Sequence, residues 1–202
     1  MTKTLEIDTP HGPARAHLNT ASKAVGALVL GHGAGGGVEA VDVQAAAEAA
    51  REEGFAVALV EQPYRVAGRK APAPAKQLDA AWLAVIAALR EKELKGLPLV
   101  AGGRSLGARV ACRTAAEAGA EAVLCLAFPV HPPGKPEKSR IEELDAVKVP
   151  VLVVQGESDP FGMPTPAKGR EVVKVAGNHG LKADLDAVAG AVRSWLRARL
   201  GG

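Results

Sequence analysis

Residues 97–112 read Leu-Pro-Leu-Val-Ala-Gly-Gly-Arg-Ser-Leu-Gly-Ala-Arg-Val-Ala-Cys, and the rest of the chain is organised around them. The apolar run 97–101 is typical of a buried strand, and the Ala-rich run after Gly107 is typical of a helix. A serine on the tight turn between them stands clear of the sheet, because Gly103 and Gly107 place no side chain against the crowded backbone. The stretch therefore predicts a nucleophile elbow with Ser105 at its tip.

Two polar side chains downstream follow later predicted strands. Asp159 comes after the run 149–155, and His179 comes after the run 171–175. Because ligands and chemistry collect at the carboxyl ends of parallel strands, both side chains are expected near the elbow. There the imidazole would take the serine proton during attack on an acyl carbon, while the carboxylate would orient the imidazole.

Each of these residues also has an ordinary structural interpretation. Asp159 precedes Pro160 and is typical of a turn cap, and His179 is typical of a hydrogen-bonded loop histidine. His131 also follows a predicted strand end, so it is a second candidate for the base.

Alternating apolar runs and helical patterns predict an α/β fold. Strands are expected over 4–9, 14–19, 25–30, 55–60, 97–101, 122–128, 149–155 and 171–175. Helices are expected over 38–53, 78–94, from the elbow to 118, near 141–144 and over 183–200. The prolines and glycine between 61 and 76 predict a loop without regular structure. We expect one domain over 1–202, with a doubly wound, mostly parallel sheet of about eight strands and helices on both faces.

Composition excludes several classes of partner. The net charge of +3 over 202 residues is small and the basic residues are scattered, so no nucleic acid is expected. No apolar stretch has the length of a membrane span, and the first residues lack a signal-peptide core, so a cytoplasmic location and no membrane partner are expected. Cys112 and Cys125 are expected as buried free thiols, and no metal site is expected.

At these motifs the chain resembles the α/β-hydrolase superfamily. More narrowly, it resembles a small lidless branch that includes testis-expressed protein 30 and dienelactone-hydrolase-like predicted hydrolases. Five stretches carry the resemblance, namely 31–36, 63–69, 102–109, 156–159 and 177–179.

The resemblance implies a role for each matching residue. Ser105 would be the nucleophile, Asp159 the acid and His179 the base, and the backbone N–H groups of Ala34 and Leu106 would form the oxyanion hole. Dienelactone hydrolases have Cys where this chain has Ser105, so the resemblance does not extend to a diene-lactone substrate. It implies a carboxylesterase-like enzyme that needs no cofactor and cleaves an ester, thioester or similar acyl bond.

Only about twenty residues separate Phe128 from Val149, too few for a helical cap domain, so the site should be shallow and open. The expected partner is a small acyl substrate, and the chain is expected as a monomer or homodimer. The possible substrate-binding residues are His32, Gly33, Gly35, Tyr64, Arg65, Arg69, Arg104 and His131. Of the basic residues, Arg65, Arg69, Lys70 and Arg104 could form a cationic rim that favours anionic substrates, but solvation or structural pairing is the expected role of most of them.

Two alternatives compete with a hydrolase. Residues 31–36 also satisfy the G-x-G-x-x-G pattern of a dinucleotide site, with Glu61 at the end of the next strand. Against an NAD site, two strands precede this one, the glycines continue to Gly37, and the Ser, Asp and His residues would have no role. The other alternative is a catalytically silent scaffold or interaction protein with the same fold.

Overall fold

The protein is described by a computed structural model that covers residues 2–21 and 23–200. Its eight strands form one sheet in the order β1-β2-β4-β3-β5-β6-β7-β8. The strands are β1 Thr2–Ile7, β2 Ala14–Asn19, β3 Gly26–Gly31, β4 Phe55–Glu61, β5 Leu99–Arg104, β6 Ala122–Leu126, β7 Val151–Gly156 and β8 Arg170–Val175. The helices are α1 Val41–Glu52, α2 Pro63–Val66, α3 Ala75–Glu91, α4 Leu106–Thr114, α5 Ile141–Asp145 and α6 Leu185–Leu200.

The sheet is parallel from β4 to β8, and the opening hairpin adds the antiparallel strands β1 and β2 at one edge. One face packs on α3 and α4 through side chains such as Trp82 and Val110. The opposite face packs on α1 and α6 through side chains such as Val43 and Trp195. Helices on both faces explain why β3 is buried along its whole length. The predicted doubly wound α/β fold is confirmed.

The prediction of an irregular loop over 61–76 was wrong in part. Residues Pro63–Val66 form the short helix α2, with Pro63 at the start, where a missing N–H breaks no hydrogen bond. Gly68, at φ +73°, follows the end of this helix. Pro74 is the N-cap of α3, so that helix begins earlier than predicted. Proline therefore sets the beginning of both helices in this segment.

Other predicted bounds differ from the structure by a few residues. The elbow helix α4 ends at Thr114, and residues 115–118 continue as turns. Strand β6 ends at Leu126 because Ala127 has a φ of +50°, which is not extended backbone. Helix α6 begins at Leu185 because Asp184 Oδ1 accepts the Ala187 N–H at 2.9 Å.

The connection from β6 to β7 carries the five-residue helix α5 as its only regular element among the described residues. Cys112 and Cys125 are buried free thiols, as predicted, and their Sγ atoms lie 3.5 Å apart. Over residues 2–21 and 23–200, none of the helices has the length and apolar character needed to cross a membrane.

Candidate active site

The elbow places Ser105 in a strained backbone conformation. Its φ of +52° and ψ of −104° lie outside the regions that a serine ordinarily adopts, at a cost of about 1–3 kcal/mol. A Cβ on Gly103 would lie 2.6 Å from the Gly31 carbonyl oxygen of the neighbouring strand, and a Cβ on Gly107 would overlap the same carbonyl. Glycine at both positions therefore allows β3 and α4 to approach the turn, which keeps Ser105 at the carboxyl end of β5.

His179 lies between the side chains of Ser105 and Asp159. Its Nε2 atom is 2.9 Å from Ser105 Oγ, and its Nδ1 atom is 2.8 Å from Asp159 Oδ2. Because a carboxylate only accepts hydrogen bonds, Nδ1–H donates to Asp159 and Nε2 accepts the Ser105 hydroxyl. The structure thus brings together the three residues that the sequence predicts as nucleophile, acid and base.

The Asp159 carboxylate is fully buried and has three donors. Besides His179, Gln155 Nε2 donates to Oδ2 at 2.8 Å, and the Phe161 N–H donates to Oδ1 at 2.8 Å. Gln155 Nε2 also lies 3.1 Å from the Phe128 carbonyl oxygen and 2.9 Å from the Gly162 carbonyl oxygen, so its two hydrogens are shared among three acceptors. Gln155 was not predicted from the sequence, although a glutamine in the otherwise apolar strand β7 is a signal.

Phe161 is a second residue of the site that was not predicted from the sequence. Its ring stacks on the His179 imidazole, with ring centroids 4.0 Å apart and an interplanar angle of 24°. Together with its N–H contact to Asp159, this stacking restricts the orientation of the His179 imidazole.

The base loop (residues 177–180) is also held against the acid loop (residues 157–162). Ser158 donates twice to the Gly177 carbonyl oxygen, from its N–H at 3.0 Å and from its Oγ at 2.9 Å. A Cβ on Gly156 would lie 2.7 Å from the same oxygen, so glycine is needed at the end of β7 for this close approach. The two loops thus keep His179 and Asp159 at a fixed separation.

The glycine-rich loop (residues 32–37) lies beside the elbow and is held by the buried side chains of Tyr64 and His32. Tyr64 donates its hydroxyl to the Ala34 carbonyl oxygen at 2.9 Å, and burial raises the pKa of Tyr64 to about 12. The hydroxyl therefore stays protonated and keeps this hydrogen bond at neutral pH.

Leu106 is the first residue of α4, so its N–H is one of the donors that a helix leaves without an internal partner.

His32, one of the possible substrate contacts, is buried and has both ring nitrogens hydrogen-bonded to backbone. It is 2% exposed, and its Nε2 accepts the Gln62 backbone N–H at 3.1 Å. Its Nδ1–H then donates to the Gly33 carbonyl oxygen at 2.8 Å. Burial, with a smaller effect from the Arg65 cation, lowers the pKa of His32. The ring is therefore neutral and both of its nitrogens bind backbone.

Arg104 does not belong to the expected cationic rim. Its guanidinium pairs with the Asp42 carboxylate at 2.9 Å and lies mostly within the protein. Arg65 is half-buried and Arg69 is exposed, and neither forms an ion pair with any residue in the described ranges.

Gly35 and His131 are two further candidates for substrate binding. A Cβ on Gly35 would meet no atom within 4 Å, so this part of the glycine-rich loop faces open space. The imidazole Nδ1 of His131 lies 2.8 Å from the Pro132 carbonyl oxygen. The backbone N–H of His131 donates to the Phe161 carbonyl oxygen at 3.0 Å. The imidazole hydrogen-bonded to Ser105 is that of His179, and His131 lies against the acid loop.

Comparison with known proteins gives results that agree with the α/β fold described above. A family model described as an alpha/beta hydrolase domain matches residues 24–184. A lidless α/β serine hydrolase from Xanthomonas campestris is 23% identical, with a TM-score of 0.78 over 100% of this chain and 96% of that chain. Est1E from Butyrivibrio proteoclasticus is 17% identical, with a TM-score of 0.79 over 98% of this chain and 99% of that chain.

A dienelactone hydrolase from Anabaena variabilis is 18% identical, with a TM-score of 0.79 over 98% of this chain and 97% of that chain. At these identities the likeness to solved structures is one of fold. The narrower resemblance to testis-expressed protein 30 stays a prediction.

Proposed function

The chain belongs to the α/β hydrolase family, and from this premise we propose that it is a serine hydrolase that cleaves an ester, thioester or similar acyl bond. The observation that carries the proposal is the hydrogen-bonded series from Ser105 Oγ through His179 to Asp159 Oδ2, with distances of 2.9 Å and 2.8 Å. Such a series at the tip of a strained strand-to-helix turn fits nucleophilic catalysis.

In the first half of the proposed reaction, Ser105 Oγ attacks the acyl carbon and its proton passes to His179 Nε2. The imidazolium is stabilised by the Asp159 carboxylate, which stays ionised. When the tetrahedral intermediate collapses, the bond to the leaving group breaks and His179 returns the proton to that group. A water molecule then attacks the acyl-enzyme by the same route, which releases the acid and restores Ser105.

The negative oxygen of the tetrahedral intermediate needs donors fixed before the reaction. We assign this role to the backbone N–H groups of Leu106 and Ala34. Leu106 N–H lies at the N-terminus of α4, where the helix dipole also favours negative charge. The Tyr64 hydrogen bond to the Ala34 carbonyl restrains the glycine-rich loop. Both donors would thus be held in place whether or not substrate is bound.

The substrate range should follow from the absence of a cap between β6 and β7 in the described ranges. An open site contacts little of the acyl chain and excludes water poorly. We expect kcat/KM for nitrophenyl esters to be highest for acetate to butyrate and modest in absolute size. The measurement is hydrolysis across acyl lengths from acetate to palmitate, with Ser105→Ala as the control. A clear preference for palmitate would contradict this expectation.

The proposal retains the further expectations from the sequence. These are one domain over residues 1–202, a carboxylesterase-like reaction, a cytoplasmic location, a monomer or homodimer, and substrate contacts from Gly33, Gly35, Arg65, Arg69 and His131. Tyr64 is 1% exposed and hydrogen-bonded to the Ala34 carbonyl oxygen, so its proposed role is to hold the glycine-rich loop rather than to contact substrate. The half-buried Arg65 and exposed Arg69 are the cations available to an anionic substrate. Hydrolysis of a succinate monoester, compared with a neutral ester of similar size, measures their contribution.

A further inference from the structure

Arg104, the residue before Ser105, contacts three separate parts of the site. Its Nε donates to Asp42 Oδ2 at 2.9 Å, and its Nη2 donates to the His179 carbonyl oxygen at 3.0 Å. Its Nη1 lies only 2.6 Å from the position that a Cβ on Gly33 would take, so the guanidinium packs against the glycine-rich loop. One side chain therefore contacts α1, the base loop and the glycine-rich loop.

The Asp42 carboxylate neutralises the positive charge of the Arg104 guanidinium. Its side chain is 1% exposed in the first turn of α1, and the Arg104 side chain is 19% exposed. A carboxylate this deeply buried needs an opposite charge beside it. The same pairing cancels the arginine charge, which otherwise would lie next to the base and disfavour an imidazolium.

We propose that Arg104 is a positioning residue. It holds the His179 backbone and the glycine-rich loop at fixed positions relative to Ser105, while Asp42 cancels the charge of the guanidinium. The inference rests on the proposed function, because it assigns His179 as the base. Arginine suits the role because its planar guanidinium directs Nε and Nη2 to two acceptors at once. A lysine ammonium at this position would pair with Asp42 but would not reach both acceptors.

Two variants separate the positional effect from the charge effect. Arg104→Lys keeps the positive charge and loses the contact with the His179 carbonyl. We expect kcat to fall by roughly 10- to 100-fold, since small displacements of a catalytic group have effects of this size. The KM should stay within about twofold, and the rising limb of the pH profile should keep its position because the charge is unchanged.

Asp42→Asn should have the complementary effect. The amide oxygen can still accept from Arg104 Nε, so the contact with the His179 carbonyl is kept, but the arginine charge is no longer cancelled. Among the described residues, the His179 imidazole is hydrogen-bonded to Ser105 and Asp159 and stacked on the uncharged Phe161 ring, and its backbone carbonyl accepts from Arg104, which is paired with Asp42. An uncompensated cation in this set disfavours the imidazolium, so the rising limb of kcat/KM should move to lower pH.

Arg113→Lys is the matched control. Arg113 lies on α4, its side chain is 18% exposed, and its guanidinium donates to Asp79 at 2.9 Å and 2.6 Å. Its acceptors Asp79 and Glu143 lie outside the base loop and the glycine-rich loop. This variant should lower the melting temperature about as much as Arg104→Lys while kcat and the pH profile stay unchanged.

The experiment measures kcat, KM, the pH profile and thermal unfolding for the wild type and the three variants. A folded Arg104→Lys enzyme with wild-type kcat would overturn the inference and leave the proposed function standing. If Arg104→Lys does not fold, the pH profile of the Asp42→Asn variant is the deciding measurement. A rising limb of kcat/KM at the wild-type position would then overturn the inference. A folded wild-type protein without turnover contradicts the proposed function itself and this inference with it.

Discussion

Replacing His179 by alanine is expected to lower kcat for a small activated ester by on the order of 10⁵-fold. The imidazole is hydrogen-bonded to Ser105 Oγ at 2.9 Å, and without it the serine proton has no acceptor at that position. The oxyanion donors and substrate binding would remain, so a small residual rate above that of water is expected. KM should change little, because the base acts in the chemical step.

His131→Ala is the control for this prediction. His131 lies against the acid loop and hydrogen-bonds to Pro132, so its removal should affect substrate binding or nothing. The measurement is steady-state hydrolysis by both variants, with thermal unfolding to confirm that each is folded. If His131→Ala loses kcat and His179→Ala keeps it, the assignment of the base is reversed.

Asp159→Asn is expected to lower kcat by about 10⁴-fold, because an amide at this position favours the wrong imidazole tautomer. The neighbours of the carboxylate make the change more severe. The Phe161 N–H needs an acceptor at Oδ1, which places the new NH2 group at the Oδ2 position. There the new NH2 group would face Gln155 Nε2, donor against donor. The Gln155 amide cannot rotate to present its oxygen, because its two hydrogens also serve the carbonyl oxygens of Phe128 and Gly162.

Glu157→Gln is the matched control for the aspartate variant, because Glu157 is an exposed carboxylate on the same acid loop. This change should leave kcat within about twofold of the wild type, as expected for a surface substitution away from the reacting atoms. The comparison needs kcat for both variants at the pH optimum. An Asp159→Asn enzyme with more than a tenth of wild-type activity would contradict the role of Asp159 as the orienting acid.

The fold, and the proximity of Ser105, Asp159 and His179, could be predicted because each strand and the turn after it have a local signal in the sequence. A buried strand, a glycine-flanked serine and an Ala-rich helix are contiguous at residues 97–112, and the parallel topology brings later strand ends to the same edge. The distance from Ser105 to His179 then follows from sheet order, although 74 residues separate them.

The supporting contacts could not be predicted, because they join segments with no common periodicity. Gln155 binds carbonyl groups from two loops, and only the folded chain shows that these groups converge. The Arg104–Asp42 pair joins residues 62 positions apart, and the sequence allowed either a cationic rim or structural pairing for Arg104 without identifying Asp42 as its partner. In the same way, His32 Nε2 accepts the backbone N–H of Gln62, which lies 30 positions further along the chain.

The most direct test of the proposed serine hydrolase is labelling of the folded protein with a fluorophosphonate, read by mass spectrometry of the peptide that contains Ser105. A serine in an ordinary turn is unreactive, because its hydroxyl is neutral at pH 7 and no fixed donors stabilise the phosphoryl oxygen. An activated Ser105 should be phosphonylated within minutes whatever the natural substrate is, and Ser105→Ala should remain unlabelled. Folded wild-type protein that stays unlabelled, or that is labelled no better than Ser105→Ala, would contradict the account and favour a catalytically silent scaffold.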